Sequence, residues 1–441
     1  MGYSVKFGSF NTGTAAAGNT VAITGVGFQP KQIFMWWVGR TETTDAVGRA
    51  NTLLGFGAAN SPTERYCTTQ YSLDAAATSD GGLLASSTAC VQTCDGAGAS
   101  TGALDHQSMD AGGFTLVVDV QFSASIRVHY LALGGTDLTN YKLGTMTAPT
   151  STGNLAYTGV GFQPDLVLMF INGINGGIGG SSSRQPIHIG AAKSSSSRWT
   201  ASAGQDDGSG TMDAWSYAND IECIGIINAV GGATPEAQAD FVSMDADGFT
   251  LNWTRVFAST ARGGWYLALK GGQYALGSVL TQTDTTTDIV VSGLGFSPVG
   301  GLVVSHNQAE SAINTATANA NMSIGGFDSA TSRGAVAYMD QNGLADSEVT
   351  TAIEHDAVYI NVDDGARVAL MDVKSVDSGG VTFIMDDADP AQYFAPYLLF
   401  GSTAAAGWTN IAKVDGIASA SIGKVDGVAV ASISKINGIA V

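Results

Sequence analysis

The stretch Thr24–Trp37 reads "TGVGFQPKQIFMWW"; Thr158 opens "TGVGFQPDLVLMF" and Ser292 opens "SGLGFSPVGGLVV". Phe28, Phe162 and Phe296 recur at a period of 134 residues. A fixed period sets the architecture before any finer reading. Two further anchors recur at nearly the same period, within three residues of 134. One is "SMDAGGFTLVVDVQF" from Ser108, "SMDADGFTLNWTRVF" from Ser243 and "SVDSGGVTFIM" from Ser375. The other is "HYLALGG" around Tyr130, "WYLALKGG" around Tyr266 and "PYLLFG" around Tyr397. A weaker echo opens each unit: "VKFGSF" at Val5, "YKLGTM" at Tyr141 and "YALGSV" at Tyr274. The units therefore span 1–136, 137–273 and 274–402, each with a constant frame and a divergent middle at 40–105, 172–240 and 305–365.

The frame reads as strands. In "FTLVVDVQF", Leu116, Val118, Val120 and Phe122 alternate with Thr115, Val117, Asp119 and Gln121, the period-two pattern of a sheet with one buried face. Gly25 and Gly27 permit a turn, Phe28 seals a core, and Pro30, Pro164 and Pro298 enter the next strand without donating to a ladder. The strand after Pro30 is apolar on both faces (Ile33, Phe34, Met35, Trp36, Trp37), so it needs cover from a facing sheet and from another domain or subunit. No segment shows helical periodicity with caps. The expected fold is all-β: three tandem antiparallel β-sandwiches of jelly-roll or lectin-like kind.

Residues 403–441 follow another rule. Ile411, Ile422 and Ile433, Lys413, Lys424 and Lys435, and Gly416, Gly427 and Gly438 all recur every 11 residues. Each repeat reads as a short strand and a glycine turn. Three such repeats bury little by themselves. They are expected to dock on the body or on other chains, as strand addition would allow. We take the six named Ile and Lys as the assembly residues.

Composition narrows function. Of 441 residues 44% are hydrophobic, enough for packed domains, but only 13% are charged, about half the usual share. The net charge of −19 repels phosphate backbones and anionic membranes, so neither nucleic acid nor membrane insertion is expected. No apolar run is long enough for a spanning helix, and the N-terminus has no cationic start with an apolar stretch behind it, so no secretory signal is expected. Cys67, Cys90 and Cys94 lie in unit one and Cys223 in unit two, at non-equivalent places, and are read as free thiols or core residues.

No catalytic or metal motif in the sequence is complete. "GASTG" at Gly98–Gly102 has the GxSxG spacing around Ser100, with Asp105 and His106 nearby, but lacks the strand before and helix after that such a nucleophile requires. The acidic runs "DGAG", "GQDDGSG", "NVDDGAR" and "MDDADP" lack the ligand order of a calcium loop and read as solvated turns. His106, His129, His188, His306 and His355 have no metal spacing. No enzyme activity, metal or cofactor is expected. Trp199, Trp215 and Tyr217 in the second middle, with Tyr66 and Tyr71 in the first, are the candidate ligand or receptor contacts, because flat rings beside Asn, Asp and Gln suit sugars. The competing reading is that these rings plug a sandwich or a subunit contact.

The order "GFQP" strand, "GFTL" strand and closing "WYLAL" strand resembles the H-type lectin domain, with its F-x-P-P-V opening, G-F-x-V middle and W-x-A end. Phe28, Pro30, Ile33, Gly113, Phe114, Leu116, Tyr130 and Ala132 hold those places in unit one, and Phe162, Pro164, Gly248, Phe249, Leu251, Tyr266 and Ala268 in unit two. The resemblance covers the frame alone and carries no sugar-binding residue over. The chain as a whole resembles bacteriophage virion structural proteins such as tail fibres, spikes and head decorations, through its Gly/Ala/Ser/Thr-rich tandem β domains and a tail similar to their "IAKVNGVA" repeats. That resemblance implies a virion protein made in the host cytoplasm, a homo-oligomer, expected as a trimer. Its tail would contact other virion proteins, and its middles would contact a host-surface glycan or protein. Two alternatives stay open: a head decoration or minor capsid protein anchored through its C-terminal strands, and a capsule depolymerase.

Overall fold

In the computed structural model the described residues are 2–402, without 176, 183–185, 228–233, 307–308 and 310–314, and six two-residue strands of the tail. Among them there is no helix. Unit one contains β1 (Tyr3–Asn11), β2 (Thr20–Thr24), β3 (Gln32–Trp37), β4 (Ala46–Arg49), β5 (Thr52–Ser61), β6 (Glu64–Ser72), β7 (Gly81–Ser86), β8 (Val91–Cys94), β9 (Ser100–Asp110), β10 (Gly113–Val120) and β11 (Arg127–Gly135). Strands β1, β11, β3, β5, β6 and β7 lie side by side in a large antiparallel sheet, and β2, β10, β9 and β8 form a small sheet facing it. Unit two repeats both orders from β12 (Asn140–Ala148) to β22 (Arg262–Lys270), and unit three from β23 (Gln273–Leu280) to β33 (Phe394–Gly401). The chain is all-β, built of antiparallel sandwiches.

The fourth strand of each unit leaves its own sandwich. β4 pairs with β29 (Val349–Glu354) of unit three, Val47 opposite Ala352. β15 (Gly180–Ser182) pairs with β7 of unit one, Ser181 opposite Leu84. β26 (Thr317–Ala318) pairs with β18 (Ala214–Asn219) of unit two, Thr317 opposite Ser216. Each large sheet thus gains a seventh strand from a neighbour, and the three donations close a cycle. Strand addition caps edges that would otherwise offer unpaired backbone groups.

The donations wrap one shared core. Along β3, Ile33, Met35 and Trp37 pack toward the small sheet of their own unit, while Phe34 and Trp36 point into a cluster that all three units line. In β14 (Leu166–Asn175), Val167, Met169 and Ile171 face the small sheet and Leu166, Leu168 and Phe170 the shared core. In β25 (Pro298–Ser305), Val303 faces one way and Leu302 and Val304 the other. Period two on a strand that is apolar throughout serves two cores at once. The second face of β3 is covered by units two and three of the same chain, so that strand no longer argues for a homotrimer.

Aromatic contacts knit the seams. Phe170 stacks on Trp265 at 3.8 Å and meets Phe34 of unit one at 5.6 Å. Tyr3 stacks on Phe400 of unit three at 5.9 Å. Each buried ring removes roughly 150 Å² or more from water, on the order of 4 kcal/mol.

The anchors have physical reasons. Gly25, Gly27, Gly159, Gly161, Gly293 and Gly295 all have φ between 73° and 88°, the left-handed region that side chains disfavour. Asp110 accepts from Ser108 at 2.8 Å and Thr115 at 2.7 Å, Asp245 from Ser243 at 2.7 Å and Thr250 at 2.6 Å, and Asp377 from Ser375 at 2.9 Å and Thr382 at 3.3 Å. One carboxylate therefore closes the β9–β10 turn and its two equivalents. Tyr130, Tyr266 and Tyr397 pair in register with Gly8, Gly144 and Gly277. A Cβ at those glycines would stand 2.4, 2.4 and 2.5 Å from the tyrosine oxygen, so the ring lies over the bare backbone. That contact accounts for the glycine in the opening echo of each unit.

At one end of the shared core three loops hydrogen-bond in a ring: Ala75 N to Ser347 O at 2.8 Å, Ser79 N to Ser209 O at 2.9 Å, and Met212 N to Leu344 O at 2.9 Å. Beneath them Gln70 donates to Gln205 at 3.0 Å and Ser72 to Asp340 at 2.8 Å. In the tail, Lys413–Val414 pairs with Ile417–Ala418, Lys424–Val425 with Val428–Ala429, and Lys435–Ile436 with Ile439–Ala440. Each 11-residue repeat is one hairpin, with Asp-Gly or Asn-Gly between its strands in sequence. Ile411, Ile422 and Ile433 lie outside the described residues, as do the side chains of Lys413, Lys424 and Lys435.

Candidate functional site

Three units on one frame act as controls for one another. A residue present in all three serves the common fold; a buried polar group present in one needs a reason of its own. Asp105, Asp240 and Asp372 are of the first kind. Each pairs across the sandwich with an arginine: Arg65 at 2.6 Å, Arg198 at 3.2 Å and Arg333 at 3.0 Å.

The second kind gathers in unit two. The amide of Cys90 donates to Leu104 O, that of Cys223 to Ala239 O and that of Val358 to Met371 O, which places these three residues in equivalent positions. The residue before each is Ala89, Glu222 and Ala357. On the next strand, Ala103, Gln238 and Leu370 sit opposite Val120, Arg255 and Asp387. Ala103, Gln238 and Leu370 are each 3% exposed, so the backbone buries that position identically whatever occupies it.

In unit two the result is a polar cleft of about 630 Å³, lined by Arg198, Ile221, Glu222, Gln238, Asp240, Thr254 and Arg255. Glu222, on the turn into β19 (Ile224–Ile227), forms part of the lining. Its carboxylate accepts from Gln238 at 2.6 Å, from Tyr217 Oη at 2.8 Å and from Asn219 at 3.1 Å. Burial raises its pKa, and the Asn219, Tyr217 and Gln238 donors oppose the rise. A buried carboxylate is tolerated only when it is held in this way. Gln238 comes from β20 (Pro235–Asp245), Arg255 from β21 (Gly248–Arg255). Among the described residues Arg255 has no ion-pair or hydrogen-bond partner. The cleft therefore offers an uncommitted guanidinium at its wall and carboxylate and amide groups within reach of a ligand.

The five rings singled out from sequence do not form one surface. Trp199 is fully buried and donates to Tyr397 O at 2.9 Å, at the seam of units two and three. Tyr217 is fully buried behind Glu222. Trp215 lies opposite Ala318 of the donated strand and donates to Asp213. Tyr66 stacks on Trp265 of unit two at 6.2 Å, and half-buried Tyr71 accepts from Asn51 at 2.9 Å. Trp199 and Tyr217 expose no ring face, so the contact role assigned to them gives way to packing and hydrogen bonding; Tyr217 alone touches the cleft's chemistry. Sequence reasoning passed over Glu222, Gln238 and Arg255. The signal was available as Arg255 against Val120 and Asp387, seven residues after the glycine of the second anchor.

Elsewhere, Asp105 is committed to Arg65, and His106 is buried with Ser100 exposed at the strand end, so the GxSxG stretch assembles no triad. All four cysteines are free and buried. At the seam of units one and three a second cleft of about 690 Å³ includes Arg40, Asp45, Glu354 and Arg367. The ligand oxygens of Asp45, Glu354 and Asp356 lie within 4.8 Å of one another there. Glu354 is held by Arg367 at 3.1 Å, and Asp45 accepts from the His355 backbone amide at 2.8 Å, so two of the three carboxylates are committed across the donated strand. Asp389 of "MDDADP" is buried and accepts from Tyr359 at 3.0 Å and Asn361 at 2.8 Å, so this carboxylate is a core anchor instead of a solvated turn.

No family model and no curated protein matches the chain. Among solved structures it is similar to PNGF-II in a C2 space group, at 7% identity and a TM-score of 0.18, over 84% of this chain and 98% of that one. It is also similar to Sulfolobus turreted icosahedral virus, at 8% identity and a TM-score of 0.14, over 91% of each chain. Likenesses at that level carry no argument about fold or function.

Proposed function

We propose that this is a non-enzymatic virion structural protein of a bacteriophage, a tail-fibre, spike or tail-tip component that meets the host surface. The observation that supports it most is the closed cycle of strand donation. The frame is spent on locking three sandwiches around one core, and unit-specific polar groups gather in a cleft at the side. That is the build of a rigid platform for attachment. One chain here takes the place of three subunits, and residues 403–441 anchor it to other virion proteins. The protein is made in the host cytoplasm and carried on the particle. The separate hairpin repeats of the tail favour one alternative, a head decoration stitched to the shell by those strands.

Negative-stain imaging of particles labelled with antibodies to residues 403–441 and to loop 172–240 tests the reading. Label at the tail tip or fibre ends supports attachment. Label spread over the head selects the decoration, and particles that take no label overturn both. Release of reducing sugars from host polysaccharide would show an enzyme instead.

A further inference from the structure

We propose that the cleft of unit two binds an acidic saccharide, with Arg255 taking the sugar carboxylate and Gln238, Asp240 and Glu222 taking hydroxyls. This rests on the attachment reading and names its ligand class. At the positions of Glu222, Gln238 and Arg255, units one and three carry Ala89 and Ala357, Ala103 and Leu370, and Val120 and Asp387 on the same frame. At the Glu222 and Gln238 positions apolar residues satisfy the fold twice over, and at the Arg255 position unit one carries a valine and unit three an aspartate. Burying a carboxylate costs free energy that packing does not return, so its presence in one unit calls for a different explanation.

The chemistry of the cleft selects the ligand. Arg255 is the uncommitted cation, and a guanidinium fork matches a carboxylate with two parallel hydrogen bonds. Asp240 keeps one oxygen on Arg198, and Glu222 and Gln238 form a fixed polar array beside it. Such planar acceptors and amides suit vicinal hydroxyls. Ile221, 41% exposed on the lining, offers apolar contact to the face of a sugar ring. A volume of about 630 Å³ suits one or two sugar residues, within the range of roughly 300–1,000 Å³ for small-ligand sites. A neutral sugar leaves Arg255 unmatched. A polyphosphate brings several negative charges against Glu222 and Asp240 in a chain of net charge −19, where a sugar carboxylate brings one, which the single guanidinium of Arg255 matches.

The other units also supply substitutions the frame is known to accept. Arg255→Val installs the residue of unit one, and Gln238→Ala does the same. Calorimetric titration of the full chain would use three hexasaccharides of equal length: one containing glucuronate, one ending in sialic acid, and one neutral. Binding of one or both acidic probes, absent for the neutral one, is expected. It should weaken about tenfold or more in Arg255→Val with an unchanged melting temperature. The two acidic probes distinguish a uronate from a sialic acid source. No binding of either acidic probe, or equal binding by Arg255→Val, overturns the proposal. Adsorption of labelled full chain to host cells separates the two failures. If wild type and Arg255→Val adsorb equally, the cleft is wrong and attachment stands; if wild type does not adsorb, attachment itself fails.

Discussion

Asp340 lies at the polar end of the shared core, 2% exposed, with Ser72 of another unit donating to it at 2.8 Å. Burial pushes its pKa up to about 7, opposed by the Ser72 hydroxyl and reinforced by Asp74 and Asp206. An unfolded aspartate titrates near roughly 4. Between those values the folded chain holds a proton that the unfolded chain has lost. The contribution of Asp340 is therefore greatest below about pH 4 and is lost as pH rises toward 7. A shift of about 3 units corresponds to roughly 4 kcal/mol in all, of which about 3 kcal/mol falls between pH 5 and 8. Asp340→Asn keeps the size and an acceptor for Ser72 but cannot ionise. Guanidinium midpoints of both proteins at pH 5, 6, 7 and 8 should show the variant gaining about 3 kcal/mol on wild type across that span. The general repulsion of a chain of charge −19 cancels in the difference. A difference that stays constant with pH would refute the reasoning, since Asp340 would then be charged throughout.

Burial raises the thiol pKa of Cys67, Cys90 and Cys223, and that of Cys94 to about 12, so a thiol reagent should titrate no cysteine in the native protein and four after denaturation. Trp265→Ala removes the ring that stacks on Phe170 and donates to Thr68 of unit one at 3.1 Å; calorimetry should show a loss of about 3–5 kcal/mol carried by the whole molecule, and a separate early transition for unit two alone would contradict a shared core. Arg367→Ala leaves buried Glu354 uncompensated. Burial lifts Glu354 to about 7, so the cost should be about 3 kcal/mol at pH 8 and well under half of that at pH 5, read from denaturant midpoints.

The frame was legible in the chain because its constraints are local. A glycine that must take φ near 80° is needed wherever the turn occurs, so Gly25, Gly159 and Gly293 recur in register. The aspartate that bridges a serine and a threonine across a tight turn keeps its spacing three times. Cys90 and Cys223 prove to occupy equivalent positions of the frame, against the sequence reading, while all four cysteines are free and buried. The candidate site was not legible in the same way. Trp199 and Tyr217 looked like ligand contacts because an aromatic beside polar residues has the same composition in a cleft and in a seam; only burial separates them. Glu222, Gln238 and Arg255 lie 33 residues apart at most, scattered over a turn and two strands, and meet only through the pairing of β20 with β21 and the packing of β19 on β20.

By itself the sequence determined three all-β units, their turns, their strand entries and the demand that the strand after Pro30 be covered on both faces. Side-chain period and backbone conformation are properties of a few adjacent residues, and they survive in the text. The tertiary structure alone decided what meets that demand. β4, β15 and β26 are two to four residues long, too short to carry a period, and each pairs with a strand more than 90 residues away. Their donation turns three sandwiches in a row into a closed ring around one core, because a sheet edge is satisfied by any backbone that reaches it.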